Sequence, residues 1–568
     1  MKMTINKRHL ISLSFIICQL SFSVMFTSCS DLMDIDSEMV EFQDDNKLQS
    51  STDSVYSVMG IIYKMQAIAD RTVLLGELRG DLTTPSASAS SDLKAIASFD
   101  INNQKNVYNQ VSDYYAVINN CNYFLANINT NLVKNGHKVF ESEYAVVKAF
   151  RAWTYLQLAQ IYGAVPLVTE PVLNEDAAQA AMKQTPQDIT AICNYFIDDL
   201  KPYVDTKLPA YGQINNLTSE KFFIPVRVLL GDLCLWANRY QEAAQYYHDY
   251  LSLRTSPVPT GKSHAYWLDG NTKDFRLLTT SISYRTSEDE CLCYIPMEES
   301  EFYGVKSELN DIFNSTDVNQ QFAKVMPTAQ LRDLSSKRDY CVVVTNDLDE
   351  PIDTMYAPKE KIQRKEYWGD LRFGTVYDNT IYAKERFSRV SNEIQSIDKF
   401  HGDGVTLYRT NMVYLRYAEA LNRAGYPQSA FAVLKYGLYP ATVAKQIDSV
   451  EVANAGTLIT FDVDNFTVNN TQGIHSRGCG SAECDTLYKI PALANRADTL
   501  ECVEDMIIDE MALEGAFEGY RFYDLMRVAL RRNNPAYLAT PVSRRSGVED
   551  ATLKSLLMVQ KNWYLPLP

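Results

Sequence analysis

Histidine is scarce in this chain, with 6 residues in 568, and the common catalytic motifs are missing. The sequence has no H-E-x-x-H helix to hold zinc, no G-x-x-x-x-G-K-[ST] loop to cradle a phosphate and no G-x-S-x-G turn to present a serine nucleophile. These absences argue against a metalloprotease, a nucleotide hydrolase and a serine hydrolase. A glycoside hydrolase needs only two carboxylates, so the 70 acidic residues leave that class open.

Runs of five or more basic residues are also missing, and the formal net charge is −16. Such a charge repels phosphate backbones and anionic headgroups, so we expect no nucleic-acid partner. Because 46% of the residues are hydrophobic and 11% are aromatic, the sequence predicts a folded globular body rather than a disordered one.

The 11 cysteines lack the regular spacing of a small disulfide scaffold. Cys18 and Cys29 lie in or just after the N-terminal leader, and the odd number that remains cannot all pair. At most, a local bridge such as Cys479 to Cys484 is expected. His475, Cys479 and Cys484 could also be metal ligands, but zinc needs a fourth ligand and the spacing is unusual. We therefore expect neither a metal nor a cofactor.

Residues 1–28 are predicted to be a lipoprotein signal peptide. Three positive charges precede an almost uncharged apolar run, as in a secretory signal. The tetrad Phe26-Thr27-Ser28-Cys29 resembles a bacterial lipobox, with Phe26 where leucine is usual, so Cys29 is the expected lipidation site. Residues 29–45 are predicted to be an acidic flexible tether. The alternatives are an ordinary signal peptide, for which Cys29 is incidental, and a short transmembrane anchor.

Several body segments carry apolar residues at the spacing of an amphipathic helix, including residues 152–159, 226–237, 414–421 and 522–530. After a short break at Asn238-Arg239, residues 240–251 again have a helical pattern. Small and large residues alternate across this pair, at Gly231, Ala243 and Tyr247 among others, as in a tetratricopeptide repeat. The sequence therefore predicts a mainly α fold, a tetratricopeptide-like scaffold of helical hairpins.

Loop-rich sequence interrupts the helical pattern in two places. Residues 256–403 are rich in Tyr, Thr, Pro and Asn and contain short β-prone runs such as residues 340–344. A second such stretch covers about residues 441–499. We expect a helical N-terminal region over residues 46–255, a loop-rich insert with short strands over 256–403 and a C-terminal region over 404–568.

Five segments of the body, in order along the chain, resemble the SusD/RagB family. They are VYNQV to NNCN (107–122), KAFRAWTYL to IYGAVPLV (148–168), YLRYAEALN (414–422), EGAFEGYRFYDLMR with the preceding IDE (508–527) and WYLPLP (563–568). Met511 and Ala512 stand where the family usually has basic residues. Gly515 stands where leucine is common in the family. A glycine inside a helix would cost about 1 kcal/mol of helix stability relative to alanine. The charged residues of 514–527 are spaced by 3 and 4, which predicts ion pairs between neighbouring helix positions rather than an active site.

The resemblance implies a SusD-like fold and a binding function without catalysis. It implies a lipoprotein of the cell outer membrane that captures oligosaccharides or oligopeptides and delivers them to a TonB-dependent transporter of the SusC/RagA type. Acidic residues behind Cys29 resemble the signal that exports lipoproteins of Bacteroidota to the cell surface. The alternatives are a tetratricopeptide-type interaction scaffold and a surface glycoside hydrolase. Residues 473–480 resemble the RagB-like branch, whose partners import peptides, although a structural glycine-rich turn explains them as well.

Two aromatic pairs in the insert are the candidate ligand contacts. Tyr266-Trp267 and Tyr367-Trp368 lie in turn-rich sequence with no apolar stripe to explain them as core, so we expect them on exposed loops. Trp153 and Trp236, in contrast, lie within helical stripes and are interpreted as core. The alternative is that the two pairs anchor the insert to the helices, since large aromatic side chains are mostly buried.

Overall fold

The computed structural model describes most of the chain beyond the leader. The described residues are 51–100, 105–214, 217–253, 264–268, 275–279, 290–297, 304–314, 323–346, 348, 350–356, 369–370, 372, 397, 399–400, 404–467, 471–482 and 485–567. Helices predominate among them and strands are short, so the predicted mainly α fold is confirmed. No helix in these ranges has the length and apolar character needed to cross a membrane.

Eight helices are described between residues 51 and 253. Their bounds are α1 Ser51–Glu77, α2 Ser91–Ser98, α3 Val111–Asn127, α4 Glu141–Tyr162, α5 Glu175–Met182, α6 Ile189–Leu200, α7 Val226–Trp236 and α8 Tyr240–Ser252. Helix α4 is buried on nearly every side from Ala145 onward, which places it at the centre of this group. It ends at Gly163, whose φ of 81° suits glycine and lets the chain turn sharply.

The remaining helices follow along the chain. They are α9 Leu309–Phe313, α10 Ala329–Ser336, α11 Thr410–Arg423, α12 Pro427–Lys435, α13 Pro440–Gln446, α14 Ser449–Ala455, α15 Ser476–Cys479, α16 Arg496–Glu514, α17 Arg521–Arg531, α18 Ala536–Ser543 and α19 Ala551–Leu557. Helix α11 packs against α8, α12 and α16, which joins the two groups of helices. The predicted stripe over 414–421 lies within α11, and Pro427 opens the next helix.

Helices α7 and α8 form the hairpin that the sequence predicts. Gly231 of α7 faces the ring of Tyr247 of α8, and a Cβ on Gly231 would approach that ring to 2.4 Å. The Tyr247 hydroxyl donates to Asp232 Oδ1 at 2.5 Å. The small residue therefore sets the closeness of the two helices, as the tetratricopeptide-like alternation of small and large residues predicts.

The described strands form six two-stranded antiparallel sheets. The pairs are β1 Thr83–Pro85 with β9 Val325–Pro327, β2 Val133–Lys134 with β3 His137–Lys138, β4 Gln213–Ile214 with β5 Leu217–Thr218, β6 His264–Leu268 with β7 Phe275–Thr279, β8 Cys291–Pro296 with β12 Gly404–Arg409, and β10 Cys341–Thr345 with β11 Pro351–Tyr356. The β-prone run at residues 340–344 overlaps β10. Two of these sheets, β1 with β9 and β8 with β12, pair strands that are far apart in sequence. They thus tie the insert to the helices on either side.

The segment at residues 508–527, which resembles the family, does not form one continuous helix. Helix α16 ends at Glu514, and α17 begins at Arg521. Gly515 caps α16 instead of lying inside a helix, so the predicted cost of glycine there does not apply. In the connecting loop, Gly519 has a φ of 92°, and a Cβ there would approach the Thr72 carbonyl oxygen to 2.3 Å. The loop therefore lies directly against the backbone of α1.

Candidate functional site: a cavity at the C-terminal segment

Two of the four residues proposed from the sequence as ligand contacts lie outside the described ranges, as does the proposed lipidation site. Cys29, Tyr367 and Trp368 all fall outside them. Tyr266 and Trp267 lie in strand β6, not in the loop that we expected, and pair with Leu277 and Arg276 of β7. Aromatic residues favour extended backbone, and β6 and β7 pair in regular antiparallel register over five residues. Their role as ligand contacts stays a prediction.

A cavity of about 980 Å³ lies where the C-terminal segment, residues 551–567, crosses the ends of several helices. This volume is in the upper part of the range for small-molecule sites. We call it the C-terminal cavity. It is lined by Phe99, Tyr162, Gly163, Ala164, Asp188, Ile189, Thr190, Trp236, Asn238, Arg527, Leu530, Arg531, Leu556, Gln560, Lys561, Asn562, Tyr564, Leu565 and Pro566. Aromatic rings, amides and charged groups thus face one space.

Three hydrogen bonds hold the C-terminal segment against the helices. The backbone N–H of Leu565 donates to the Ile161 carbonyl at 2.8 Å. The Trp563 carbonyl accepts from Arg79 Nη1 at 2.9 Å, and the Trp563 indole donates to the Leu557 carbonyl at 2.7 Å. Because Trp563 is 1% exposed, it anchors the segment while its neighbours line the cavity.

Tyr564 lies over Gly163 at the edge of the cavity. A Cβ on Gly163 would be 3.1 Å from the Tyr564 ring, so the glycine allows close approach as well as the positive φ. Tyr162, beside it, donates its hydroxyl to Asn109 Oδ1 at 3.0 Å, and Asn109 donates to the Pro566 carbonyl at 3.3 Å. Burial raises the pKa of Tyr564, which therefore stays a neutral phenol. The fold therefore holds this side of the cavity, formed by Tyr564 and Tyr162, in place before any ligand binds.

Trp236 forms the opposite side with Arg527. The Arg527 guanidinium lies over the Trp236 ring, 5.3 Å from its centroid. It also donates to both oxygens of Glu419, at 2.9 and 2.6 Å. Burial raises the pKa of Glu419, but Arg423 and Arg527 outweigh it and lower that pKa to about 2. Trp236 is buried, as its stripe indicates, but it is the last residue of α7 and also reaches the cavity.

Phe99 closes one end of the cavity in an unusual backbone conformation. It caps α2 with a φ of 57°, which is uncommon for a bulky side chain. Its ring centroid lies 5.8 Å from that of Phe522. This contact holds Phe99 at the cavity margin.

A second charged region is largely buried and lies outside the cavity lining. It surrounds Glu514, which binds Arg372 at 3.0 Å and Arg409 and Arg477 at 3.2 Å each. We call it the buried ion-pair cluster; its members are Glu290, Asp370, Arg372, Lys399, Arg409, His475, Arg477, Asp485, Glu510, Glu514 and Glu518. Burial raises the pKa of Glu514, but the three arginines outweigh it and hold that pKa well below its ordinary value.

The predicted ion pairing of residues 514–527 is correct in kind but mostly wrong in partner. Arg527 and Asp524 pair at spacing three, 2.8 Å apart, as expected. Arg521, however, pairs with Asp81 at 2.6 Å, and Glu518 pairs with Arg409 at 2.8 Å. Because α16 and α17 are separated by a loop, the residues before Gly515 and after Tyr520 do not share one helix face. Their partners come from distant segments.

The predicted bridge between Cys479 and Cys484 is wrong, because Cys479 is a free thiol. Its sulfur donates to Asp370 Oδ2 at 3.3 Å in a fully buried position. Burial, followed by the charge of Asp370, raises the pKa of Cys479 well above its ordinary value. Among the described cysteines, Cys341 is the one that is disulfide-bonded.

Asp370, His475 and Cys479 lie within 4.8 Å of one another, which raises the zinc alternative again. Both ring nitrogens of His475 already face carboxylates, Asp485 at 2.9 Å and Glu510 at 3.4 Å. Although burial lowers the pKa of His475, these hydrogen bonds raise it above its ordinary value. Asp370 is bound by Arg372 at 2.6 Å. The arrangement favours an imidazolium and a neutral thiol over metal ligands.

The comparisons with known proteins agree with this architecture. Residues 35–194 match the SusD-like family described as "Starch-binding associating with outer membrane". No match is found among curated proteins. A SusD superfamily protein from Bacteroides vulgatus superposes with a TM-score of 0.54 at 14% identity, over 92% of this chain and 96% of its own. A SusD homolog from Bacteroides thetaiotaomicron gives a TM-score of 0.54 at 14% identity, over 91% and 94%.

A SusD superfamily protein from Bacteroides fragilis gives a TM-score of 0.52 at 16% identity, over 84% of this chain and 88% of its own. At these identities the solved structures establish a shared fold, while the family match supplies the relationship in sequence. The family match thus relates residues 35–194 to the SusD-like family, and the solved structures show that most of the chain shares the fold of SusD superfamily proteins.

Proposed function

We propose that this protein is a lipid-anchored binding protein of the outer-membrane surface that captures oligosaccharides and delivers them to a TonB-dependent transporter. The observation that carries the proposal is the C-terminal cavity, which combines aromatic rings with amide side chains. Sugars stack on aromatic faces through their C–H bonds, and amides satisfy their hydroxyl groups. The description of the family as starch-binding and associated with the outer membrane supports this ligand class.

The lining of the cavity supports binding rather than hydrolysis. A glycosidase needs two carboxyl groups about 5–10 Å apart on either side of the bond that it cleaves. Within the described lining, Asp188 is the one carboxylate. Its Oδ1 accepts the Ala191 backbone N–H at 2.8 Å, so it also serves as the N-cap of α6. A bound glycan would meet no acid and base pair there.

The case for a peptide ligand is weaker than the sequence alone indicates. It depends on residues 473–480, whose glycines have a packing explanation. A Cβ on Gly473 would approach the Lys435 backbone to 2.2 Å, and one on Gly478 would approach Asp370 Oδ1 to 1.8 Å. Because these glycines allow close packing around the buried ion-pair cluster, they say little about a ligand.

The function is tested by calorimetric titration of the purified protein with maltose, galactose and galacturonate oligomers and with mixed oligopeptides. Chromatography of the same mixtures detects any product. We expect binding of at least one oligosaccharide class without product. Release of shorter sugars would instead support the hydrolase, and binding of peptides alone would support the peptide carrier or the interaction scaffold.

The lipid anchor is tested separately by Cys29→Ala. Since the thioether-linked lipid is the proposed anchor, the variant should fold normally and leave the membrane fraction. Cys18→Ala, which changes a cysteine within the leader, is the matched control and should leave the protein membrane-bound. Continued sedimentation of the Cys29→Ala variant with membranes, in cells that lack the transporter, would contradict lipid anchoring.

A further inference from the structure

The lining of the C-terminal cavity has more cationic than anionic side chains, whereas the whole protein is acidic. Its described lining contains Arg527, Arg531 and Lys561 against one carboxylate, Asp188. Carboxylates outside the lining pair with the two arginines, which leaves Lys561 as the lining cation without an ion pair in the described part of the chain. The whole chain has a net charge of −16. A concave site of one sign within a protein of the other sign concentrates counter-charged ligands.

Lys561 has no carboxylate within ion-pair distance in the described part of the chain. It is exposed and lies in the 3-10 turn Gln560–Trp563, which the buried Trp563 fixes in place. Lys554, in the same C-terminal segment, shows the usual alternative, since its ammonium binds Glu549 at 2.9 Å. The turn therefore holds the backbone of Lys561 at the cavity, and its ammonium has no ion-pair partner there in the described part of the chain.

Arg531 is paired, but it is the most accessible arginine of its group. Its Nε donates to Glu504 at 2.8 Å, and the same carboxylate also accepts from Arg423 at 3.0 Å and from Arg532 at 2.7 Å. Arg423 and Arg532 have second partners, Glu419 at 2.6 Å and Asp505 at 2.7 Å. The Arg531 side chain is 30% exposed, against 1% for Arg423 and 12% for Arg532. A ligand in the cavity can therefore reach Arg531.

We propose that the C-terminal cavity selects oligosaccharides with anionic groups, carboxylate or sulfate. The sugar rings stack on the aromatic wall at Tyr564, and the anionic group pairs with Lys561 and Arg531. The positive end of α6 partly offsets the charge of Asp188, which caps that helix. The inference rests on the proposed capture of oligosaccharides and names their chemical class.

The test compares oligosaccharides that share the galactose ring configuration and differ in charge. The probes are a galacturonate tetramer, its full methyl ester, a sulfated galactose tetramer and a neutral galactose tetramer. We expect at least one anionic probe to bind at least tenfold more tightly than its uncharged counterpart at low salt. The galacturonate and sulfated arms distinguish the two sources of negative charge. The advantage should shrink at high salt, because the cavity is open to solvent.

Lys561→Gln is the diagnostic substitution, and Lys554→Gln is its matched control in the same segment. Lys561→Gln should weaken binding of the preferred anionic probe about tenfold and leave its uncharged counterpart unchanged. Lys554→Gln should change neither affinity. Circular dichroism and thermal melting establish that both variants are folded.

Three failures are distinguishable. Equal affinity for charged and uncharged probes would overturn the anionic selectivity while leaving oligosaccharide capture intact. If no probe and no maltose oligomer binds, both the selectivity and the proposed function are overturned. If the anionic probes bind preferentially but Lys561→Gln changes their affinity no more than Lys554→Gln does, the assignment of the selectivity to this cavity is overturned.

Discussion

The two charged regions around α17 differ in how completely their charges are paired. On one side, the buried ion-pair cluster gives Glu514 three arginine partners, and the side chains of Glu514 and Arg372 are 0% and 1% exposed. On the other side, Lys561 is exposed and Arg531 shares its carboxylate with two other arginines. Buried charges that satisfy one another hold segments in place, whereas unneutralised charge at a cavity is available to a ligand.

The largest expected effect comes from breaking the buried side of this comparison. Glu514→Gln removes the carboxylate that Arg372, Arg409 and Arg477 share, so each of these buried guanidinium groups loses a charged partner. We expect the free energy of unfolding to fall by about 3–5 kcal/mol, because the arginines keep their desolvation cost after the ion pairs are broken. Chemical denaturation measures this change. Affinity for the ligand, expressed per folded molecule, should stay the same.

The pH dependence of stability sharpens the comparison further. Burial raises the pKa of Glu77 to about 7 and that of Asp70 to about 6, so both groups take up protons on folding near neutral pH. Stability should therefore rise as pH falls from about 7 toward the unfolded value near 4.5, at a rate on the order of 1 kcal/mol per pH unit.

Below pH 4.5 the opposite trend should appear. The arginines hold the pKa of Glu510 and of Glu514 well below their ordinary values, so the stability that these groups supply is lost as they become protonated. Chemical denaturation measured between pH 8 and pH 3 should thus show a maximum in the free energy of unfolding. Glu77→Gln should flatten the slope near neutral pH and leave the acid limb unchanged. A variant with the slope of the original protein would contradict the role of Glu77.

The sequence is informative where an interaction is local. The helical period predicts α4, α7, α11 and α17, and the small residue Gly231 opposite the large residue Tyr247 predicts a close hairpin. It gives the wrong partners where contacts are distant, because a spacing of three or four reports only neighbours on one helix. Arg521 and Asp81 are 440 positions apart, and no local pattern joins them.

The cavity is hidden in the sequence for the same reason. Gly163, Trp236 and Tyr564 come from three separate segments, and the stripe around Trp236 explains it as core without indicating that it also reaches a surface. Two features of the sequence could have indicated the cavity. Trp236 is the last residue of its helix, and Gly163 ends α4. Aromatic residues at helix ends, where the stripe stops, are better candidates for a site than their burial suggests.

On the open side of the comparison, Tyr564→Ala should act on binding more than on folding. It removes a ring that forms the wall of the C-terminal cavity, and we expect a loss of about 1–2 kcal/mol in ligand affinity, measured by calorimetry. Tyr195→Ala is the matched control, because that ring is 40% exposed and lies on α6 outside the cavity lining. Equal affinity losses for the two variants would assign the effect to stability rather than to the site.

The smallest effect on stability is expected at an exposed carboxylate whose ion-pair distances match those of the buried ones. Glu549 accepts from Arg544 at 2.8 Å and from Lys554 at 2.9 Å, distances no longer than those around Glu514. Because water solvates all three groups, the ion pairs gain little over their hydrated states. Glu549→Gln should therefore leave chemical denaturation and ligand affinity unchanged within error. A loss of stability comparable to that of Glu514→Gln would show that pairing distance, rather than burial, governs what these charges contribute.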